Sequence, residues 1–381
     1  MDFSTTQPQD ELSALGRRIL TDRATPARLA ELEQAGLGTD AALWSELAAA
    51  GILAAALPGT AGGDSYGLAE QCSILTEIGR AVAPVPYLAA IVLGAGAIAR
   101  FGSGEQVRRW ALPAATGELV ITAALAEPDC DDPRTPATRA SYEGGTWQLS
   151  GTKTTVPAGP SAGLYLVPAA TERGPAVFCV ERDDPGVTAE PQALIDGPGA
   201  AQLDLSAVEL GDDRLLGQPG AELPSWLLAR ATVGVCAHQL GVTERALELT
   251  AEYTRTRQQF GRPIGAFQAV AHRLADAYID VEAIRLTMWQ AAWRLETGLP
   301  CEEEIATAKF WAADGGHRVA HTAVHLHGGV GIDTSHPLHR YFTAAKQNEF
   351  ALGGATAQLR RLGASLAGAD TVADMTVRSQ T

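Results

Sequence analysis

The stretch that decides the predicted fold is RQQFGRPIGAFQ, residues 257–268, which is followed by LAD at residues 274–276. A helical apolar pattern ends near Arg257, so its guanidinium would lie at a helix end, where the fork of N–H groups can hold a diphosphate. The pair Phe260–Gly261 predicts a tight reversal of the chain. Gln268 opens the next helical pattern and offers a donor and an acceptor to an adenine edge or a ribose. Taken alone, R-x-x-F-G is more often a surface arginine beside a turn.

A second glycine-rich segment is HGGVG, residues 327–331. Gly328 and Gly329 have no side chain, so their backbone amides could approach a phosphate group closely. His325, just before the segment, can donate to a phosphate or a ribose. The two segments together therefore favour an anion site over an isolated surface arginine.

Outward from these segments, the apolar pattern divides the chain into three zones. Residues 1 to about 115 have helical periodicity, residues 116–222 contain short apolar runs between Gly, Pro and Asp, and residues 223–366 return to long helical stretches. Helices are expected at residues 10–20, 41–53, 68–82, 87–101, 226–255, 267–297 and 302–325, and strands at residues 119–126, 147–149, 164–167, 176–180 and 202–205. This order predicts an α+β chain whose small antiparallel β region separates two helical regions.

The composition of the 381-residue chain narrows the classes of function. The net charge of −15 disfavours nucleic acid and anionic membranes as partners. The five cysteines lie far apart and form no CxxC pair, which predicts reduced thiols and a cytoplasmic location. We expect neither a signal peptide nor a membrane span, because no basic region precedes an apolar run and no apolar stretch is long enough.

The motifs resemble those of the acyl-CoA dehydrogenases. Residues 257–276 are similar to that family's RxxFGxPIxxFQxxxxxLAD signature, and residues 325–340 to its QxxGGxGxxxxxPxxR segment, with His325 in place of the glutamine. Glu127–Pro128 resembles its T-E-P motif, and residues 151–153 its G-T-K. The resemblance covers roughly residues 5–365.

The resemblance implies an acyl-CoA dehydrogenase fold with FAD as cofactor and an acyl-CoA as substrate. The implied division is an N-terminal α-helical domain, a middle antiparallel β domain, a C-terminal four-helix bundle and a polar tail, at residues 1–115, 116–222, 223–366 and 367–381. In this family one subunit's β domain holds the flavin ring, and the neighbour's helical domain holds part of the ADP end. The implied cofactor-binding residues are Arg257, Phe260, Gln268, His325, Gly328 and Gly329.

The flavin-ring half of the site departs from the family pattern. The loop that usually continues G-T-K-x-W-I-T has Thr155 in place of the aromatic residue and Pro157 in place of the hydroxyl. Proline has neither a polar side chain nor an amide hydrogen, so it cannot donate to the flavin. The loop before it replaces the usual glycine–serine turn and contains Asp129, Asp131 and Asp132, whose charges would repel a phosphate.

The catalytic base is also missing where the family carries it. These enzymes remove an α-proton with a carboxylate, but the usual C-terminal position aligns with Leu352, or with Gly353 after a one-residue slip. The alternative position, 26 residues before Arg257, is Ala231. Glu349 is the nearest spare acid, and the favoured interpretation is that it lies on a solvated helix face.

A run of histidines gives one further hypothesis. His317, His321 and His325 are spaced i, i+4, i+8, which places them on one helical face. No HExxH pattern accompanies them, so we predict no metal site.

The resemblance and these departures from the family pattern imply the base-less subunit of an α2β2 heterotetrameric acyl-CoA dehydrogenase, an oxidoreductase of lipid metabolism. No catalytic residue is assigned to this chain, and the lone chain is expected to be inactive. The resemblance is to pairs from bacterial steroid side-chain degradation, which implies a steroid-type CoA thioester as the substrate. Two alternatives remain open, a self-sufficient homotetramer with a relocated base and a flavin-free scaffold on the same fold.

Overall fold

The N-terminal third of the chain is helical. The computed structural model describes residues 3–130 and 132–378. The helices of this third are α1 (Gln7–Arg23), α2 (Pro26–Gln34), α3 (Ala41–Ala49), α4 (Ile52–Ala55), α5 (Leu68–Ala81), α6 (Gly96–Phe101), α7 (Gly104–Gln106) and α8 (Leu112–Ala115), with π-helical turns at Leu88–Ala95 and Val107–Ala111.

Local sequence explains where several of these helices begin and break. Thr6 caps α1 through a capping box with Gln9, and the Asp40 carboxylate accepts from the first amides of α3. The predicted single helix at residues 41–53 is divided in two, because Gly51 has a φ of 77° and ends the first helical run.

The middle of the chain forms an eight-stranded sheet. Seven of its strands follow the order β6-β7-β3-β2-β4-β5-β8, and the eighth, β1, pairs with β4. The strands are β1 (Ile121–Ala123), β2 (Arg139–Glu143), β3 (Thr146–Pro157), β4 (Leu164–Thr171), β5 (Gly174–Glu181), β6 (Val187–Leu194), β7 (Gly197–Leu210) and β8 (Leu215–Leu216). The sheet is mostly antiparallel, as predicted, although β4 pairs in parallel with β1 and with one residue of β2. Three strands of the sheet were not predicted, β2, β6 and β8. Four of the five residues of β2 are exposed, and no residue of β6 is buried.

The C-terminal part returns to helices. They are α9 (Glu222–Thr256), α10 (Gln268–Glu296), α11 (Glu302–His327), α12 (Leu338–Phe350) and α13 (Ala355–Arg378), and a short hairpin of β9 (Gln258–Gln259) and β10 (Arg262–Pro263) connects α9 to α10. The three long predicted helices are confirmed, and so is the α+β class. The division into domains at residues 115 and 222 stays a prediction.

Close packing joins the two helical regions. A Cβ on Gly79 of α5 would lie 2.1 Å from the His238 carbonyl, and one on Gly241 of α9 would lie 1.9 Å from the Thr76 carbonyl. Only glycine fits there, so the backbones of α5 and α9 touch. The largest apolar cluster includes residues from both of these helices and from β1, β4 and β5. This packing leaves the end of α9 and the start of α10 at the surface.

Candidate functional site

The hairpin after α9 carries Phe260, one of the predicted cofactor-binding residues. Its turn consists of Phe260 and Gly261, with φ angles of 53° and 78°, as a two-residue type I′ hairpin requires. The Phe260 side chain is 92% exposed and meets Phe267 edge to face at 6.1 Å. The predicted reversal of the chain is therefore confirmed, and it presents an aromatic ring to solvent.

Arg257 and Gln268 flank this hairpin. Arg257 caps the C-terminus of α9 and is exposed, and its carbonyl accepts from the Ile264 amide at 2.8 Å. Within the described part of the chain, its guanidinium has no carboxylate partner. Gln268 is the first residue of α10 and is also exposed. The arginine is thus free to bind an anion from outside the chain.

The glycine-rich segment lies at the end of α11, beside the end of α9. The rings of Tyr253 and His327 stack at 4.3 Å, and the Tyr253 hydroxyl lies 3.5 Å from the His327 carbonyl. Gly328 has a φ of 64°, and a Cβ on it or on Gly329 would meet nothing within 4 Å. His325, one turn before, is exposed. The stacked pair brings the glycine turn to the same end of the bundle as Arg257, and all six predicted residues are exposed.

A groove between α10 and α11 extends from His325. It has a volume of about 870 Å³, and its lining includes Arg273, His317, His321 and Thr322. The placement of three histidines on one face is confirmed, because His317, His321 and His325 all line this groove. Across residues 3–130 and 132–378, no group of three or more His, Cys, Asp or Glu side chains is arranged to hold a metal ion.

Two backbone groups at the end of β3, the Thr155 amide and the Pro157 carbonyl, are hydrogen-bonded within the chain. Thr155 has a φ of 49°, and its amide donates to Gln192 Oε1 at 2.8 Å. The Pro157 carbonyl accepts from the Thr122 hydroxyl at 2.5 Å. Position 155 has threonine where the family's pattern has an aromatic residue, and position 157 has proline where the pattern has a hydroxyl, so this half does not fit a flavin ring.

A buried ion pair fixes the base of the same loop. Lys153 Nζ lies 2.7 Å from Glu127 Oε1, with the two side chains 0% and 3% exposed. The Glu127 carboxylate also accepts from the Ala137 and Thr138 amides. Burial raises the pKa of Glu127, but the hydrogen bonds from Lys153 and Thr138 outweigh it, so its pKa lies below the usual value. The Glu and Lys of the two family-like motifs therefore serve the β region's structure.

The aspartate loop differs in part from its prediction. Arg134 binds both oxygens of Asp132 and lowers the pKa of that carboxyl, so the charge of Asp132 is largely compensated. Asp129 is exposed, and Asp131 lies outside the described residues. The prediction that three crowded aspartates repel a phosphate is therefore wrong for Asp132, whose charge is balanced by Arg134.

Neither position for a base carries a proton acceptor. Leu352 has a φ of 58°, and its side chain packs against the main apolar cluster. Its carbonyl accepts from Gln358 Nε2 at 3.1 Å. At the second position, Ala231 is 3% exposed in the interior of α9. The segment is therefore ordered by its own contacts without a carboxylate.

Glu349 is not on a solvated helix face, and that interpretation was wrong. Its side chain is only 14% exposed, with Lys346 Nζ at 2.6 Å and His317 Nδ1 at 3.1 Å. Sequence spacing alone could not show this, because His317 belongs to α11 and lies 32 residues away. The carboxylate is therefore bound between α11, through His317, and α12, through Lys346.

Lys309 is a buried group beside this contact that the sequence analysis missed. Its Nζ donates to the carbonyls of Asn348 and Glu349, at 3.0 and 3.1 Å, in the last turn of α12. Burial lowers the pKa of Lys309 to about 8. The lysine thus caps the helix that leads into Leu352.

None of the helices in the described part of the chain combines the length and apolar content that crossing a bilayer requires.

Comparison with known proteins matches two family models. Residues 6–118 match the acyl-CoA dehydrogenase N-terminal domain, and residues 219–367 match the acyl-CoA dehydrogenase C-terminal domain. The chain is 47% identical over 375 residues to the acyl-CoA dehydrogenase FadE27 of Mycobacterium tuberculosis, covering 96% of this chain and 99% of that one.

Two solved structures share the fold closely. A chain of the ChsE4–ChsE5 complex from Mycobacterium tuberculosis has a TM-score of 0.93 and 48% identity, covering 96% of this chain and 99% of that one. A chain of a Tcur3481–Tcur3483 steroid ACAD variant has a TM-score of 0.90 and 43% identity, covering 95% and 98%.

Proposed function

Since the chain belongs to the acyl-CoA dehydrogenase family, whose members depend on FAD, we propose that it is the non-catalytic subunit of a heterotetrameric acyl-CoA dehydrogenase. It contributes ADP-end contacts, and a second acyl-CoA dehydrogenase chain contributes the flavin loop and the catalytic carboxylate. The observation that carries the proposal is the contrast between the two halves of the site. The six ADP-end residues are exposed and open to a ligand, whereas positions 155 and 157 hold threonine and proline, and the base positions hold Leu352 and Ala231.

The exposed half of the site fits the ADP end of FAD. Arg257 offers a guanidinium without a carboxylate partner in the described residues, which suits a diphosphate. Phe260 offers an exposed ring, Gln268 an amide, and the turn at Gly328 an unobstructed backbone. These side chains would bind and orient the cofactor that the partner's β domain holds at its other end.

The chemistry divides between the two chains accordingly. Bound flavin supplies the hydride acceptor for α,β-desaturation of an acyl-CoA. Removal of the α-proton needs a carboxylate above the substrate, and this chain has Leu352 and Ala231 at the two places where relatives carry one. Its own residues therefore neutralise the diphosphate and fix the cofactor's position, and the proton goes to the partner.

The relatives support a substrate class and a partner for this chain. One similar structure is of a two-protein complex, ChsE4–ChsE5, and the other is of a steroid ACAD built from two proteins. We extend both features to this chain, with an α2β2 assembly and a steroid side-chain CoA thioester as substrate. The five cysteines are free thiols, which supports a reducing, cytoplasmic location.

A relocated base at Glu349 is disfavoured by the ion pairs that Glu349 makes. The carboxylate is bound by Lys346 and His317 and is mostly buried. A homotetramer that depends on Glu349 would have to break both contacts before the carboxylate could accept a proton.

Purification of the chain alone, and together with a second acyl-CoA dehydrogenase chain that has an intact flavin loop and a catalytic carboxylate, tests the proposal. The lone chain is expected to be colourless near 450 nm and inactive, and the co-expressed pair to be yellow and active. A lone chain with stoichiometric FAD and turnover would establish the self-sufficient enzyme. A pair that assembles without FAD would establish the scaffold.

A further inference from the structure

The α10–α11 groove carries a set of hydrogen-bond donors that the six ADP-end residues do not include. Within residues 3–130 and 132–378, Arg273, His321 and Thr322 make no hydrogen bond or ion pair with another side chain. A guanidinium, an imidazole and a hydroxyl together suit the oxygens of a phosphate group. The groove's volume of about 870 Å³ is within the range of about 300–1,000 Å³ typical of ligand sites.

Other charges in the groove are already compensated. Arg318 binds Asp280 through two nitrogens at 2.5 and 2.9 Å and also contacts Asp314. Arg273 and Asp276 are the remaining charged groups of the lining. The two arginines and two aspartates that line the groove cancel, in a chain whose net charge is −15. An anion in the groove is therefore repelled less than it would be over the rest of this negatively charged chain.

The groove includes one of the six ADP-end residues, His325 of α11. His321 and Thr322 precede His325 by one helical turn and line the same groove. On α10, Arg273 lines the groove and follows Gln268 by five residues, about 7.5 Å along the helix axis. A ligand that contacts His325 therefore lies beside His321 and Thr322, in the groove that Arg273 lines from α10.

We propose that this groove holds a phosphate group of the ADP arm of the shared FAD, with Arg273 as the main ligand and Thr322 and His321 as supporting donors. The inference rests on the proposed function, because the occupant is the partner-held cofactor. Arg273 is then a second arginine for the diphosphate, besides Arg257.

The first experiment measures ligand binding by the full chain alone. Calorimetric titration with ADP, and separately with inorganic phosphate, compares the unchanged chain with Arg273→Ala. Loss of a charge-assisted hydrogen bond should weaken ADP binding about 10-fold to 100-fold. Arg108→Ala is the matched control, because Arg108 is a surface arginine, 66% exposed and paired with Glu105, outside the groove. Asp276→Asn removes the remaining acid and should tighten binding.

The second experiment measures FAD content after dialysis of the co-expressed complex. Loss of FAD from both Arg257→Ala and Arg273→Ala supports the proposed function and the groove assignment. Loss from Arg257→Ala alone overturns the groove assignment and leaves the proposed function standing. If neither variant loses FAD, the proposed function fails, and so does the placement of its cofactor in the groove. Phosphate binding by the lone chain together with full FAD retention in Arg273→Ala would assign the groove to a free phosphate and contradict the proposal.

Discussion

Replacing Arg257 with alanine in the assembled complex is expected to release FAD while the chain stays folded. The side chain is exposed and has no carboxylate partner among the described residues, so its removal leaves no buried charge unpaired. A charge-assisted hydrogen bond to a diphosphate is worth roughly 1.5–3 kcal/mol. At about 1.4 kcal/mol for each factor of ten, FAD dissociation should become about 10-fold to 150-fold easier.

The assay is the ratio of 450 nm to 280 nm absorbance before and after extensive dialysis, with thermal unfolding measured on the same samples. Arg255→Ala is the control, because Arg255 is also exposed and unpaired in the described structure, two residues away on α9. Arg257→Lys keeps the charge but loses the planar fork, so it should fall between the two. Unchanged FAD content in Arg257→Ala, or equal losses in both alanine variants, would refute the assignment of Arg257 to the diphosphate.

Three further predictions concern Glu349, the Lys153–Glu127 ion pair and Lys309. Glu349→Gln should leave most of the complex's activity, because it weakens only a structural ion pair. It should lower the free energy of unfolding by about 1–2 kcal/mol. Loss of turnover would instead identify Glu349 as the base. Lys153→Met should lower the free energy of unfolding by about 3–5 kcal/mol, because it leaves the buried Glu127 carboxylate without its charged partner. Adding Glu127→Gln should restore much of that stability, measured by denaturant unfolding. In the folded chain the pKa of Lys309 is lowered to about 8, whereas in the unfolded chain it is about 10.4. Between these two pH values the unfolded chain therefore binds more protons than the folded chain. The free energy of unfolding should rise with pH across that window. Relative to Lys309→Met, the rise in the free energy of unfolding should approach about 3 kcal/mol. If the two proteins instead show the same dependence of stability on pH, the pKa of Lys309 is not lowered in the folded chain.

Much of the fold could be predicted because its signals are local. The hairpin at Phe260–Gly261 and the three long helices from α9 to α11 follow from turn chemistry and helical periodicity within one segment. Strands β2 and β6 escaped prediction because their side chains are largely exposed; in β2 only Ala140 is buried. An alternation of apolar and polar residues appears only where one face of a strand meets a core.

The site was predicted where it depends on motifs and missed where it depends on contacts between distant segments. The six ADP-end residues come from two motifs, and the Tyr253–His327 stack that unites them was not visible in either. Glu349 was misplaced because the imidazole that binds it comes from another helix. Arg273 was overlooked because its lack of a partner is a property of the folded surface, which spacing does not encode.

The number of FAD molecules per α2β2 tetramer shows whether this chain holds a flavin ring of its own. If this chain serves only as the ADP-end neighbour, its own flavin pocket stays empty, because position 155 has no aromatic plate and position 157 has no hydroxyl for the flavin ring. Quantifying FAD released by acid from a complex of known mass should give two per tetramer, and neutralising the partner's base should abolish turnover. Four tightly bound FAD per tetramer would show that this chain has a working flavin site and would contradict the account.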